Sequence, residues 1–396
     1  MNFDTIRSRE AASFLPVFRR HPVALVEGSG SRVVDVEGRE YIDLMAGWAV
    51  TSIGHCHPAL VEALRDQAGR LMQVSNLFYT VPQTELLERL DAVTPEAITR
   101  TFLVNSGTEA TEGALKVAHR ATGRSRFVST ENSFHGRTLG ALSVIGQESH
   151  REPYAALLPP EPRVIPYDDL GAARAAIDDE TAAIIVEPVQ GEGGVNVPAD
   201  GYLRGLREIC DRSGALLILD EVQTGVGRTG KFLGLEHEGV RPDVVTLGKA
   251  LGGGFPVAAF LTSEDVAKTA RPGDHGSTFG GNLLACAAAN AVLRVVDEED
   301  LAARAAELGG RLRERLEAFA REREDLVAEV RGLGLIQGLV LRDAERASAL
   351  AGRALERGVL VNVTAGRVVR FMPALNIPEA DLWEGVDRVL AIAAGS

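Results

Sequence analysis

An apolar, β-branched run ends at a lysine in VVTLGKALGGG (244–254), where Lys249 enters a patch of glycines. A cation delivered to a poorly hydrated strand end can grip a phosphate or snorkel to solvent. If desolvation lowers its pKa, it can also react as a neutral amine. A second apolar run, LLILDEVQTG (216–225), carries Asp220 into similar surroundings. A carboxylate there needs a cationic or donating partner, which a structural ion pair or a cationic ligand would equally supply. NSGTEATEGALKVAHRA (105–121) joins a strand end to a helix start. Its Ser106, Gly107 and Thr108 offer N–H groups and hydroxyls where the helix dipole favours an anion, although an ordinary helix cap has the same composition. FHGRTLG (134–140) sets Phe134, able to stack on a planar ring, near Arg137, whose guanidinium matches a carboxylate. HGSTFGGN (275–282) is a polar, glycine-rich loop that offers a further anion contact.

One chemistry uses all of these parts. A phosphate-bearing ring needs an anion site, a stacking aromatic, a carboxylate for its ring nitrogen and a lysine for its aldehyde, and pyridoxal phosphate is such a cofactor. Two other phosphate readings fail on spacing. GVGRTG (225–230) matches a dinucleotide fingerprint, but Glu221-Val222-Gln223-Thr224 separates it from its strand, and the candidate acid Asp243 precedes a strand rather than ending one. Lys249 is followed by Ala250 rather than Ser or Thr, and no glycine stands five before it, so it is not a P-loop lysine.

The elements that position these residues follow from the hydrophobic rhythm. TFLVN (101–105), RFVST (126–130), AAIIVEP (182–188), LLILDE (216–221), VVTLG (244–248) and VAAFLTS (257–263) are short, nearly continuous apolar strands separated by helical patterns. That alternation predicts an α/β fold with a mostly parallel central sheet and helices on both faces. Ligands then sit at the carboxyl ends of the strands, where the polar residues cluster. Before it, VVDVEGREYIDLMAG (33–47) predicts a hairpin turning at Glu37-Gly38, and PALVEALRDQAGRLM (58–72) a helix. After it, a long helix over 301–326 precedes short strands, which predicts a smaller α+β domain. The expected organisation is an N-terminal segment, 1–65, belonging to the small domain, a large domain over 66–288 and the C-terminal small domain over 289–396.

A chain of 396 residues is too long for one small core. Its net charge of -13 repels nucleic acid and anionic membrane, so neither is an expected partner. Cys56, Cys210 and Cys286 are odd in number and far apart, which argues against a disulfide framework and for a reducing compartment. His55-Cys56-His57 has ligand residue types, but adjacent side chains diverge, and no metal site is expected. The first residues have acids early and only a short apolar stretch, which fits neither a signal peptide nor a membrane span, and the cytoplasm is expected.

Taken together, NSGTEATEGALK, FHGRTLG, EPVQGEGGV, LILDEVQTGVGRTG, TLGKALGGG and HGSTFGGN occur in an order and spacing that resemble the class III (ω-amino) aminotransferases of fold type I over nearly the full chain. Within that family, the short length and SNLFY (75–79) are similar to the acetylornithine group. The resemblance implies a covalent cofactor link and proton shuttle at Lys249, and pairing of Asp220 with the pyridine nitrogen. It also implies Gln223 at the ring hydroxyl, Phe134 on the ring face, and Ser106, Gly107 and Thr108 at the phosphate. Thr278 would reach the site of a neighbouring subunit, which implies a homodimer. Arg137 would bind the carboxylate distal to the reacting amine, and Arg370, in VRFMPALNI, the α-carboxylate of glutamate. Glu192, in EPVQGEGG, would pair with Arg370 whenever the bound substrate has no carboxylate there. The implied activity moves an ω-amino group from N2-acetylornithine to 2-oxoglutarate, with ornithine, 4-aminobutyrate or an acylated lysine-pathway amine as alternative donors. An aminomutase on the same fold is a further alternative, disfavoured by the presence of both Glu192 and Arg370. Trp48, in AGWAVTSIGHCHP, departs from the family's usual small aliphatic or tyrosine and is expected to shape the substrate pocket.

Overall fold

The structure, a computed structural model, describes residues 1–159 and 162–395. Its first sheet begins with the antiparallel strands β1 (Leu25–Ser29), β2 (Arg32–Asp35) and β3 (Glu40–Asp43). The β2–β3 turn falls at Glu37-Gly38 as the sequence predicts. Gly38 takes φ 82°, and the Asp35 carboxylate accepts from the N–H groups of Glu37 and Arg39, so the turn's free donors are satisfied.

The central sheet has seven strands: β4 (Ile98–Val104), β5 (Arg126–Thr130), β6 (Arg163–Ile165), β7 (Thr181–Val186), β8 (Leu216–Asp220), β9 (Val244–Leu247) and β10 (Ala258–Ser263). Their spatial order is β4-β10-β9-β8-β7-β5-β6. The pairs from β9 through β6 are parallel, and β10 runs antiparallel to both β9 and β4. The apolar runs each became a strand, and every residue of β7 and β9 is buried, as strands covered on both faces must be. Only β6 had not been expected, since three residues, Arg-Val-Ile, are too few to show a period. The helix Gly107–Thr122 packs across the sheet against β10, β9 and β7, and the helix Tyr202–Ser213 packs beside β8 and β7.

The C-terminal part contains β11 (Val327–Leu333), β12 (Ile336–Leu341), β13 (Val359–Leu360), β14 (Asn362–Thr364) and β15 (Val368–Phe371). Four of these form a sheet of order β11-β12-β15-β14. β13 instead pairs in parallel with β3, so the N-terminal strands are completed by C-terminal chain. The long helix spans Leu301–Glu322, four residues shorter than the expected 301–326. The expected borders at 65/66 and 288/289 fall inside the helices Pro58–Ala68 and Leu283–Glu298, which pack on each other, so a joint between units has to lie outside them. Among the described residues, no helix is long and apolar enough to cross a membrane.

Candidate active site

Parallel β7, β8 and β9 end along one edge of the central sheet. There they deliver Glu187 just after β7, Asp220 at the last position of β8, and Lys249 after Gly248 beyond β9. Lys249 sits at φ 42°, a left-handed conformation that a side-chain-bearing residue keeps only where its surroundings enforce it. A cleft of about 920 Å³ opens at this edge, lined among others by Trp48, Phe134, Arg137, Glu192, Lys249 and Thr364. Burial, helped by the charge of Arg370, holds the Lys249 ammonium below its ordinary pKa against the opposing pull of Glu192, Asp220 and Glu187.

Asp220 is buried and fully partnered on the protein side. It accepts from His135 Nδ1 at 2.6 Å, Val222 N at 3.0 Å and Thr246 Oγ1 at 3.0 Å. Burial alone would raise its pKa. The His135 hydrogen bond and charge, together with the Val222 and Thr246 donors, outweigh that, and the carboxyl lies below its usual range. His135 and Thr246 are functional residues that sequence reasoning had not assigned. The signal for Thr246 was present, since it is the polar residue inside an apolar strand and stands opposite Asp220 in the β8–β9 register. His135 had no such signal, because its contact with Asp220 spans 85 positions. Glu187 belongs to the same buried group: its carboxylate accepts from Phe134 N at 3.1 Å and Gly191 N at 3.3 Å. Burial pushes its pKa up to about 7, with Asp220 adding to the rise and His135 and Lys249 opposing it.

Glu192 and Arg370 are brought together from 178 positions apart, with Arg370 Nη1 2.9 Å from Glu192 Oε1. Arg370 is fully buried on β15, while the Glu192 side chain keeps 28% exposure. Burial would raise the Glu192 pKa, but the charges of Arg370 and Lys249 and the hydrogen bonds from Arg370 and Gln223 lower it. Arg370 Nη2 is buried and, among the described residues, has no hydrogen-bond acceptor, an expensive condition for a guanidinium N–H. Gln223 stands within this pair rather than apart from it: its Nε2 donates to Glu192 at 3.2 Å, and its Oε1 accepts from Arg370 Nη1 at 3.4 Å. A Cβ at Gly191 would lie 1.4 Å from Gln223 Oε1, so any larger residue there would push the Gln223 amide out of this pair.

The anion site also takes shape. Gly107 and Thr108 open the helix Gly107–Thr122, and among the described residues their N–H groups make no hydrogen bond. A Cβ on Gly107 would sit 2.8 Å from Val222 Cγ1, which explains a glycine at the first turn. The two hydroxyls are occupied: Ser106 Oγ donates to Glu109, and Thr108 Oγ1 is 2.8 Å from Thr138 Oγ1. Arg137 lies 5.6 Å above the Phe134 ring, with its Nη2 3.2 Å from His150 Nε2. Burial and the Arg137 charge lower the His150 pKa, and among the described residues no carboxylate pairs with Arg137. Trp48 is presented from a left-handed turn in which Ala46, Gly47, Trp48 and Ala49 have φ of 44°, 58°, 65° and 62°. Thr278 is the one expected residue outside this gathering. It lies on an exposed loop, where its carbonyl accepts from Gln73 Nε2. A lysine held below its ordinary pKa, a carboxyl held below its own, a pair of helix N–H groups with no partner among the described residues and two arginines suit a planar, phosphate-bearing ring and a substrate with carboxylates at both ends.

Comparison with known proteins shows the family. The model of the family "Aminotransferase class-III" matches residues 17–392. An acetylornithine aminotransferase of Methanopyrus kandleri is 53% identical, over 92% of this chain and 92% of that one. A succinylornithine transaminase of Salmonella paratyphi A is 45% identical, over 98% and 96% of the two chains. A solved structure of the ornithine aminotransferase from Toxoplasma gondii, with PLP at partial occupancy in its active site, is 34% identical. It superposes with a TM-score of 0.94 over 100% of this chain and 95% of that one.

Proposed function

This chain belongs to the class III aminotransferases; it is a transaminase, and we propose that with pyridoxal phosphate it moves the ω-amino group of N2-acetylornithine to 2-oxoglutarate, giving a semialdehyde and glutamate. The observation that carries the reading is the buried Glu192–Arg370 pair, with Arg370 Nη2 left over, beside a lysine held below its ordinary pKa.

The residues present fit the cofactor. Lys249 would bind its aldehyde, Asp220 its ring nitrogen, Phe134 its face, and Gly107 and Thr108 its phosphate through their free N–H groups. Ser106 joins the phosphate site if its hydroxyl turns from Glu109, and Gln223 meets the ring hydroxyl from its place beside Glu192. When bound, pyridoxal phosphate supplies an electron sink for the pair left by a broken substrate C–H bond. The chain's own residues do the rest. His135 and Thr246 keep Asp220 ionised and oriented. Lys249 Nζ, its pKa lowered by burial, would take the proton from the amine-bearing carbon and return it two atoms away, on the far side of the nitrogen. Arg137 holds the distal carboxylate of either substrate.

An ω-amine donor has no carboxylate beside its reacting carbon, and Glu192 then neutralises Arg370. When glutamate or 2-oxoglutarate binds, the Glu192 side chain yields and the substrate α-carboxylate takes its place, reaching Nη2 as well. The Glu192 backbone stays, held at its carbonyl by Thr364 Oγ1 at 2.5 Å. Trp48 sets the width of the cleft. An acylated ornithine is the favoured donor class, since relatives named for two different acyl groups cover nearly the whole chain.

The proposal includes a homodimer in which Thr278 reaches the phosphate of the neighbouring subunit. Its support is the exposed apolar surface around that loop, Phe279 together with Leu77, Phe78 and Tyr79. Asn76 Nδ2 ties the two segments by donating to Gly280 O at 3.0 Å. A cytoplasmic location is also proposed, in keeping with free thiols at Cys56, Cys210 and Cys286. The test mixes the loaded enzyme separately with N2-acetylornithine, ornithine and 4-aminobutyrate and follows loss of the bound cofactor's visible absorbance in a single turnover. The expected result is fast conversion with N2-acetylornithine and slow conversion with the others. Fast conversion with another amine alone would overturn the donor assignment.

A further inference from the structure

GVGRTG (225–230) plays no part in the chemistry above, yet it carries Arg228, which at 0% exposure shares with Arg370 the place of bulkiest fully buried side chain among the described residues. Among the described residues no carboxylate pairs with it, and burial pushes its pKa down to about 9. Its donors go to neutral groups from three distant segments: Leu335 O at 2.9 Å, Pro373 O at 2.6 Å and Ser52 Oγ at 3.0 Å. Its own carbonyl accepts from Leu335 N at 3.0 Å. The backbone is shaped for this. Gly227 and Gly230 take φ of 89° and 92°, and a Cβ on Gly334 would lie 2.4 Å from Thr229 C.

Each segment leads to a residue of the cleft. Ser52 Oγ also donates to Ala49 O at 3.2 Å, and Ala49 closes the left-handed turn that presents Trp48. L-residues avoid that conformation, so outside contacts must hold it. Pro373 follows β15 three residues after Arg370, and Leu335 immediately precedes β12, which pairs with β15 at Gly338↔Arg370. Leu375 N closes the circuit by donating to Ser52 O at 2.7 Å. A bare guanidinium is a costly way to join neutral groups, since burying an uncompensated charge is unfavourable. What it provides is several fixed donor directions from one rigid plane.

We propose that Arg228 is a positioning residue for substrate selection, fixing the spacing between the Trp48 turn and the Arg370 strand. The inference rests on the reading of Trp48 and Arg370 as substrate-facing.

The test uses the holoenzyme in a Trp383→Phe background, which leaves Trp48 as the only one of the two tryptophans. Into it go Ser52→Ala, Arg228→Lys and Arg228→Met. Two quantities are read: the fluorescence anisotropy of Trp48, and the single-turnover dissociation constants and limiting rates with N2-acetylornithine and glutamate. A shift of the order of 1 Å in a positioned group can cost about 100-fold, and Ser52→Ala, which removes one link, should weaken both substrates about tenfold with limiting rates held within about twofold. Trp48 anisotropy should fall in all three variants, with Arg228→Lys milder than Arg228→Met. Unchanged anisotropy in Ser52→Ala and Arg228→Lys overturns the proposal, as do unchanged dissociation constants with falling limiting rates. If Arg228→Met does not fold, the two milder variants decide. If the parent enzyme converts none of the amines, the proposed function fails, and the anisotropy alone still decides the role of Arg228.

Discussion

Replacing Glu192 by Gln removes the charge opposite Arg370 while keeping its shape and one acceptor. At 2.9 Å, with an effective dielectric of about 20–40, the ion-pair attraction is about 3–6 kcal/mol. The amide recovers part of it through the retained hydrogen bond, and the 28% exposure of Glu192 screens more. About 2 kcal/mol should remain, which is about 30-fold in an equilibrium constant. The sign differs between the half-reactions. A donor without a carboxylate at the reacting carbon leaves Arg370 buried and unneutralised, so its rate over dissociation constant falls. Glutamate no longer competes with Glu192, so its own value rises or holds. The assay is single-turnover absorbance with each substrate, read as the ratio of glutamate to donor efficiency, expected to rise about 30-fold. Equal changes in both half-reactions would refute the switch and leave Glu192–Arg370 as a fixed structural pair.

Other consequences can be checked in the same way. Arg370→Ala should impair the glutamate half-reaction about 100-fold or more and the ω-amine half-reaction far less, and equal losses would again remove the switch argument. Lys249→Ala should abolish turnover and the visible absorbance of bound cofactor, and a variant that transaminates normally would sink the mechanism. Thermal stability should fall as pH rises. Glu187 and Glu221 are both buried with folded pKa values of about 7, raised from 4.5 chiefly by burial. A carboxyl raised on folding contributes stability that is complete below its unfolded pKa and lost as pH climbs through its folded one. Each should therefore withdraw about 3 kcal/mol between about pH 4.5 and 7. Melting temperatures measured from pH 5 to 8 that rise or stay level would contradict this.

The strand ends were legible because each apolar run stops at a residue proposed to meet the cofactor: Lys249, Asp220 and the serine–glycine–threonine turn at 106–108. A buried parallel sheet forces that pattern, since polar side chains are tolerated only where the strand leaves the core. What spans the chain was not legible from composition or period. His135 on Asp220, Gln223 within the Glu192–Arg370 pair, and Arg228 on Ser52 are contacts across 85, 147 and 176 positions, set by how helices return strands to the sheet. The turn at 46–49 was hidden for another reason. Two of its four residues are alanines, which carry no preference for positive φ, so only tertiary contacts reveal the conformation. The glycines of GVGRTG invited a nucleotide reading because sequence shows glycine spacing but not what the backbone turns around.

The pairing of β3 with β13 also bears on how the protein is made. Arg39 donates to the carbonyl of Glu356, 317 residues later, and Asn376 reaches back 323 residues to Ile53. At a synthesis rate of about 5–20 residues per second, the N-terminal strands wait roughly 15–60 s for their partner to leave the ribosome. The sheet that carries Lys249 and Asp220 can form in that interval, while an unpaired β3 edge stays open to other chains. The turn that presents Trp48 is secured only when Pro373 and Leu375 arrive. A nascent chain can therefore bring Lys249 and Asp220 together before the turn that presents Trp48 is fixed.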